Sequence, residues 1–259
     1  MAPPRFSSGR LRATGLLVAL ICSPGQAAAQ EHAAPPAAAP VAAPGPRVAV
    51  DYMDFGPSVA DEAGPALRDW VRRLRAEEGA LDALLLREIG RPERFAVVET
   101  WRDEMALAAH QASGASIGNG AAAGLSAPPD ERVGAAFNIA PVRAAGPETP
   151  AGPLPAGALY VLIHVDTAPF NLDPVNAWLI SQAKAGRAEP GALRYEVWRQ
   201  IDRLNHFTVI QVWANRRAYD HHIESPTTRA FRANLLIFKG ALYDERLYQA
   251  VEARKTRPP

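Results

Sequence analysis

Residues Arg203–Ser225 read RLNHFTVIQVWANRRAYDHHIES, and the chain holds a second version of this stretch 112 residues earlier, Arg91–Ser113, RPERFAVVETWRDEMALAAHQAS. Seven positions agree without a gap: Arg91/Arg203, Phe95/Phe207, Val97/Val209, Trp101/Trp213, Ala106/Ala218, His110/His222 and Ser113/Ser225. The offset persists upstream. Between Asp54 and Ser113, 19 of 60 residues recur, among them Asp54/Asp166, Pro57/Pro169, Asp61/Asp173 and Gly79-Ala80-Leu81 against Gly191-Ala192-Leu193. Self-similarity at a fixed spacing marks one supersecondary unit used twice, so the chain divides into two copies of about 100 residues each.

Each copy reads as strand, helix, strand, strand, helix and a short last strand. In copy two, Ala158–Val165 is β-branched and aromatic enough for a buried strand, and Asp173-Pro174 predicts a helix start with the acid as cap. Val175, Trp178 and Leu179 give that helix its apolar stripe; in copy one Leu67, Trp70, Val71 and Leu74 stand at i, i+3, i+4 and i+7. Glu189-Pro190-Gly191 breaks the helix, and strands Leu193–Gln200 and His206–Trp213 follow around the turn Asp202–Asn205. Along the second strand Phe207, Val209 and Trp213 point one way while Thr208, Ile210 and Val212 point the other. Both faces are largely apolar, which requires helices on one side and a second sheet on the other. Asn215 caps the next helix, which carries Ala218, Tyr219 and His222; Ser225-Pro226 interrupts it and Thr228–Phe238 resumes it. Asp244-Glu245-Arg246-Leu247 closes the copy, echoed by Asp130-Glu131-Arg132-Val133. The copies part at Gly114–Gly124, GASIGNGAAAG, whose four glycines each cost a helix about 1 kcal/mol. The second helix of copy one is therefore expected to be degenerate.

Residues 1–29 have the pattern of a secretory signal: Arg5, Arg10 and Arg12 without an acid, the apolar run Gly15–Ile21, then Ala27-Ala28-Ala29 as a small-residue cleavage site. That run is too short for a membrane span, so no stable membrane anchor is expected. The Ala/Pro-rich residues 30–46 form a tether and residues 141–157 a linker, which sets the two domains at 47–140 and 158–251. Loss of the signal leaves 25 basic against 27 acidic residues, a balance that speaks against nucleic acid or anionic membrane as a partner. Cys22 is the only cysteine; the mature chain then has no disulfide, thiolate nucleophile or sulfur metal ligand. An exported chain of this kind suits a periplasmic or secreted location.

The strand ending in Trp, the Ala five residues on, the His nine after the Trp, the following Ser and the closing Asp-Glu-Arg-Leu together resemble the antibiotic biosynthesis monooxygenase family. Copy two carries the resemblance from Tyr160 to Tyr248; copy one carries it from about Val48 to Ser113 and again at Asp130. The resemblance implies an α+β fold of tandem ferredoxin-like units whose sheets pair as a dimeric α+β barrel, here built in cis. It specifies fold more closely than reaction, because the family spans several activities.

Members of the quinol and anthrone type work without metal or flavin, since a deprotonated electron-rich phenol or anthrone can itself pass an electron to O2. The protein must then supply a dry apolar pocket, a base and hydrogen-bond donors. The resemblance points to His222 as base and Trp213 as donor and pocket wall, with Gln211, Tyr195 and His164 as further polar groups between helix and sheet. Phe207, Phe231 and Leu235 would touch the substrate, and His110, Trp101 and Glu99 are the copy-one equivalents. The same residues have plainer roles open to them: a strand-end Trp packs cores, and a helix-end His bridges backbone groups. His221 and His222 point about 100° apart, so no metal site is expected. Three functions remain: a cofactor-free monooxygenase acting with O2 on a small quinol- or anthrone-like aromatic, a haem-degrading enzyme, and a non-catalytic small-molecule binder. For haem the helix His would be the axial ligand, yet the first strand, Tyr160–Asp166, lacks the Asn that such enzymes place there. Copy two, with its intact second helix, is expected to hold the site and copy one to complete the barrel; assembly into a further homo-oligomer is left open.

Overall fold

A strand that is apolar on both faces needs two covers, and the fold supplies them by closing eight strands into a barrel with helices outside. The computed structural model describes residues 45–114, 122, 124–137, 154–169, 172–238, 240 and 243–251. The expected signal, most of the tether and linker, and most of the glycine-rich stretch after His110 lie outside these residues. Copy one runs β1 (Arg47–Asp54), α1 (Ala60–Leu74), β2 (Ala80–Glu88), β3 (Arg94–Trp101), α2 (Glu104–Ala112) and β4 (Asp130–Ala136). Copy two runs β5 (Leu159–Asp166), α3 (Leu172–Arg187), β6 (Ala192–Gln200), β7 (His206–Trp213), α4 (Arg216–Glu224), α5 (Pro226–Phe238) and β8 (Asp244–Ala250).

The strands close in the order β1-β3-β2-β8-β5-β7-β6-β4, all antiparallel. Each copy's last strand pairs with its own first strand and also with the other copy: β4 with β6 through Gly134↔Gln200, and β8 with β2 through Leu86↔Ala250. Closure leaves no open edge, and both copies lie in one compact unit. This is the tandem ferredoxin-like pairing in cis that the repeat implied.

The period-2 pattern decides which side chains go where. Ile210 and Val212 join Val50, Leu84, Leu86, Val98, Tyr160, Leu162, Trp198 and Tyr248 inside the barrel. Phe207, Val209 and Trp213 turn outward under α3–α5, against Val175, Leu179, Tyr219 and Leu235. Copy one repeats this layer with Phe95, Val97 and Trp101 beneath Leu67, Trp70, Val71 and Leu74. Asn215 caps α4 through its side chain to the Ala218 N–H (3.0 Å), and Asp103 caps α2 in the same way (2.9 Å). Asp173 is not a cap: it sits with Pro174 inside the first turn of α3, where a carboxylate still meets the positive end of the helix.

Candidate functional site

The residues chosen from sequence separate into two groups. Trp213, Gln211, Tyr195 and His222 come together as a buried cluster between sheet and helices. His222 stacks on Trp213 with ring centres 4.5 Å apart, and Tyr195 meets it edge-on at 5.8 Å. Glu189, two residues past the end of α3, lies 2.9 Å from His222 Nδ1, and Thr228 Oγ1 is 3.4–3.5 Å from both ring nitrogens. Gln182 donates to Thr228 at 2.7 Å and continues the network. Burial holds the His222 pKa below its ordinary value against the pull of Glu189, and burial pushes the Tyr195 phenol up. Both groups are thus neutral near pH 7, with Glu189 favouring the proton on Nδ1 of His222.

Trp213 cannot serve as the substrate's donor. Its single N–H is given to Gln211 Oε1, two residues back on the same face of β7, at 2.9 Å. The cluster is also closed by packing. A Cβ on Gly186 of α3 would fall 2.5 Å from the Tyr195 ring and 3.4 Å from His222 Cε1, leaving no space for a ligand on that side.

A cavity of about 410 Å³ opens beside this cluster, under α4 and α5 at the end of β5. Its apolar wall is Val165, Ile223, Leu235 and Leu236, and its polar groups are His164, Asp166, Arg229, Arg232 and Tyr243. Leu235 lines it and His164 borders it from the end of β5, while His222 lies beside it, one residue before Ile223 and turned about 100° away around α4. Phe207 and Phe231 belong to the core beneath. Arg232 is paired with Glu245 at 2.6 Å, which also accepts from the Tyr219 hydroxyl; burial raises the Glu245 carboxyl to about 7.

His164 does not reach the space between helix and sheet with Trp213. As an even-numbered residue of β5 it shares the interior face with Tyr160 and Leu162, where its Nε2 lies 2.7 Å from the Tyr52 hydroxyl. Tyr52 and His164 are equivalent positions in the repeat, so the pair meets where the two copies face each other. Arg246 and Arg132 approach the Tyr52 ring at 4.9 and 5.9 Å, each held by an Asp two residues back. Burial, reinforced by Arg132, lowers the His164 pKa to about 3. Below about pH 6.5 the unfolded chain gains a proton there that the folded chain refuses, so stability present above 6.5 is lost toward pH 3 by about 1.4 kcal/mol per pH unit. Glu245, raised to about 7, acts in the opposite sense by keeping a proton on the folded state between about pH 4 and 7, and the raised Asp51 and Glu99 carboxyls act in the same direction as Glu245. Subtracting a His164→Gln variant isolates the histidine: in urea unfolding the wild type should lose stability relative to the variant between pH 6.5 and 4. Parallel pH curves would refute a neutral buried His164.

Copy one places the same kinds of side chain differently. His110 stacks on Trp101 at 4.8 Å, with Glu77 2.8 Å from Nδ1 and Glu99 3.8 Å from Nε2. Glu99 accepts the Trp101 N–H at 2.9 Å, and burial raises both Glu99 and the neighbouring Asp51 carboxyl above their ordinary values. Copy two has Gln211 and Ile163 there, a neutral version of the same wall. Sequence reasoning passed over Glu77 and Glu189, although both belong to the recurring Arg-Ala-Glu before the Gly-Ala-Leu run. It also passed over Asp166 as a site residue, although Asp54 and Asp166 recur, and over Arg232 and Tyr243, for which no local pattern exists. Among the described residues no cluster of three or more His, Cys, Asp or Glu is arranged to hold a metal ion.

The sequence pattern of the antibiotic biosynthesis monooxygenase family matches residues 46–116 and 160–234. No curated protein matches the sequence. Among solved structures, a candidate monooxygenase from Fusobacterium nucleatum superposes with a TM-score of 0.65 at 13% identity, over 81% of this chain and 94% of that one. A candidate monooxygenase from Lactobacillus acidophilus gives 0.59 at 16%, over 82% and 97%, and an anthrone oxidase-like protein gives 0.59 at 12%, over 81% and 92%. At these identities the likeness is one of fold.

Proposed function

Because the chain belongs to the antibiotic biosynthesis monooxygenase family, we propose that it is a cofactor-independent monooxygenase that oxidises a quinol- or anthrone-like aromatic with O2 in the copy-two cavity. The observation that carries this reading is the cavity itself: about 410 Å³, lined by the aliphatic Val165, Ile223, Leu235 and Leu236 together with Asp166, Arg229, Arg232 and Tyr243. A flat aromatic fits the apolar wall, and its hydroxyl or enol would then lie among groups able to take a proton and to steady the oxyanion left behind. The anion gives one electron to O2, the radical pair joins as a peroxide, and loss of water leaves the carbonyl. For an anthrone, one CH2 and one O2 become one C=O and one H2O, so the reaction balances without another reductant.

His222 enters this scheme by position. Stacked on Trp213 and tied to Glu189, it holds α4, and with it Ile223, against the sheet. Haem fits poorly, because an axial ligand must offer a nitrogen to an open side and His222 is 2% exposed within its cluster. Oxygen uptake by the purified protein with a panel of anthrones and quinols tests the proposal. Catalysed uptake with the carbonyl product formed in step with the O2 consumed is the expected result; binding without uptake across the panel would leave a small-molecule binder instead.

A further inference from the structure

Next to the apolar cavity lies a second, polar cleft of about 330 Å³, formed where β4 meets the β6–β7 turn. Asp166, the last residue of β5, lines both. Its partner in the strand register is His206, the first residue of β7. The imidazole Nδ1 stands 2.8 Å from Asp166 Oδ1, close in distance though bent out of hydrogen-bond alignment, and both side chains are about one-fifth exposed. His206 lines the polar cleft and not the apolar cavity. A carboxylate in the dividing wall, backed by an imidazole open to the wet side, joins the two spaces.

The repeat supplies a control within the molecule. Asp166 corresponds to Asp54, and His206 to Arg94; these two also face each other in register and form an ion pair at 3.1 Å. Copy one thus has the same acid with a cation that does not release its proton. Copy two, beside the apolar cavity, has the acid with an imidazole, a group able both to accept a proton and to release it. Both pairs tie the same two strands together, and strand pairing alone does not call for the exchangeable one.

We propose that Asp166 and His206 are the proton port of the copy-two cavity. The step rests on the function proposed above. A hydroxyl bound in the cavity gives its proton to the Asp166 carboxylate, leaving a phenolate beside Arg229 and Arg232; the acid passes the proton to neutral His206, and the imidazolium releases it to water in the cleft. Around His206 the cleft also holds the carboxylates of Asp130, Glu131 and Asp202 and the guanidiniums of Arg132 and Arg203. No electron moves in this step, and each proton given up by the ligand appears in solvent.

The test uses 4-nitrophenol, whose colour reports its ionisation, with the full-length protein and no turnover. The wild type should bind the dye, and after a rapid rise in pH the bound dye should ionise at a rate set by the port. His206→Arg copies the ion pair of copy one and keeps the strands joined; it should bind the dye with unchanged affinity and ionise it at least about tenfold more slowly, in the range lost with a positioned proton acceptor. In His206→Ala, imidazole added to the buffer should restore the rate. Equal ionisation rates in wild type and His206→Arg would overturn the port while leaving the proposed reaction standing. Failure of the wild type to bind any phenol in the cavity would overturn both.

Discussion

Ala233→Trp should abolish oxygen-dependent turnover, by about 100-fold or more, because it puts an indole where the substrate's apolar body has to lie. Ala233 stands on α5 in the cavity wall and is itself exposed, so a larger side chain displaces no core atom. Helical side chains lean back toward the N-terminus, which carries the indole over Arg229, one turn earlier in the same wall. The ring then has a choice between water and an aliphatic surface, and burial favours the surface by about 25 cal/mol per Å². Met105→Trp is the matched control: Met105 lies on α2 of copy one, 82% exposed, with nothing to fill. Oxygen uptake and dye binding should be lost in the first variant and kept in the second, with equal thermal melting. Full activity in Ala233→Trp would mean that the reaction takes place elsewhere.

The asymmetry in that experiment was only partly legible in the sequence. The alternation at Phe207–Trp213 told which side chains face helices and which face another sheet, because side-chain direction along a strand depends on parity alone. The 112-residue offset told that the second sheet belongs to the same chain. Neither could show that β4 and β8 cross to the opposite copy, since those pairings join residues far apart in sequence. The Trp213–Gln211 bond was within reach: two residues apart on one strand share a face, and a tryptophan with an amide or acid at that spacing recurs as Trp101 with Glu99. The cavity was not within reach. Its walls come from the end of β5, from α4 and α5, and from Tyr243, and only their packing leaves space between them. Hence Trp213 and His222, the most conspicuous of the repeated residues, are structural neighbours of the cavity and not its lining.

The repeated residues serve a contact that both copies need, and removing it should have the largest effect on stability. Gly191 lies at φ +84° between α3 and β6, and a Cβ there would fall 2.6 Å from the Ala218 Cβ on α4; Gly79, at φ +85°, has Ala106 of α2 at 2.4 Å. Gly and Ala recur in both copies because helix and turn approach too closely for anything larger, an approach fixed further by the Ala214 N–H bond to Gly191 O and the Arg102 N–H bond to Gly79 O, both 2.8 Å. Gly191→Ala adds left-handed strain of about 1–2 kcal/mol and overpacking of about 1–3 kcal/mol. Since 1 kcal/mol moves the melting point of a domain of this size by about 2–4 °C, a fall of roughly 10 °C is expected. The strain and the clash can be told apart, because Ala218→Gly removes only the clash. The double variant Gly191→Ala/Ala218→Gly should therefore be more stable than the sum of the two single losses predicts, by about 1–3 kcal/mol. Ala218 stands one turn before His222 and five residues before Ile223, so the contact also sets how far α4 stands off the sheet. The single Gly191→Ala variant should then bind 4-nitrophenol less tightly even where it remains folded, and the double variant should recover binding along with stability. Additive losses in the two single variants would show that the helix yields freely, and that the recurring Gly and Ala do not set the wall of the cavity.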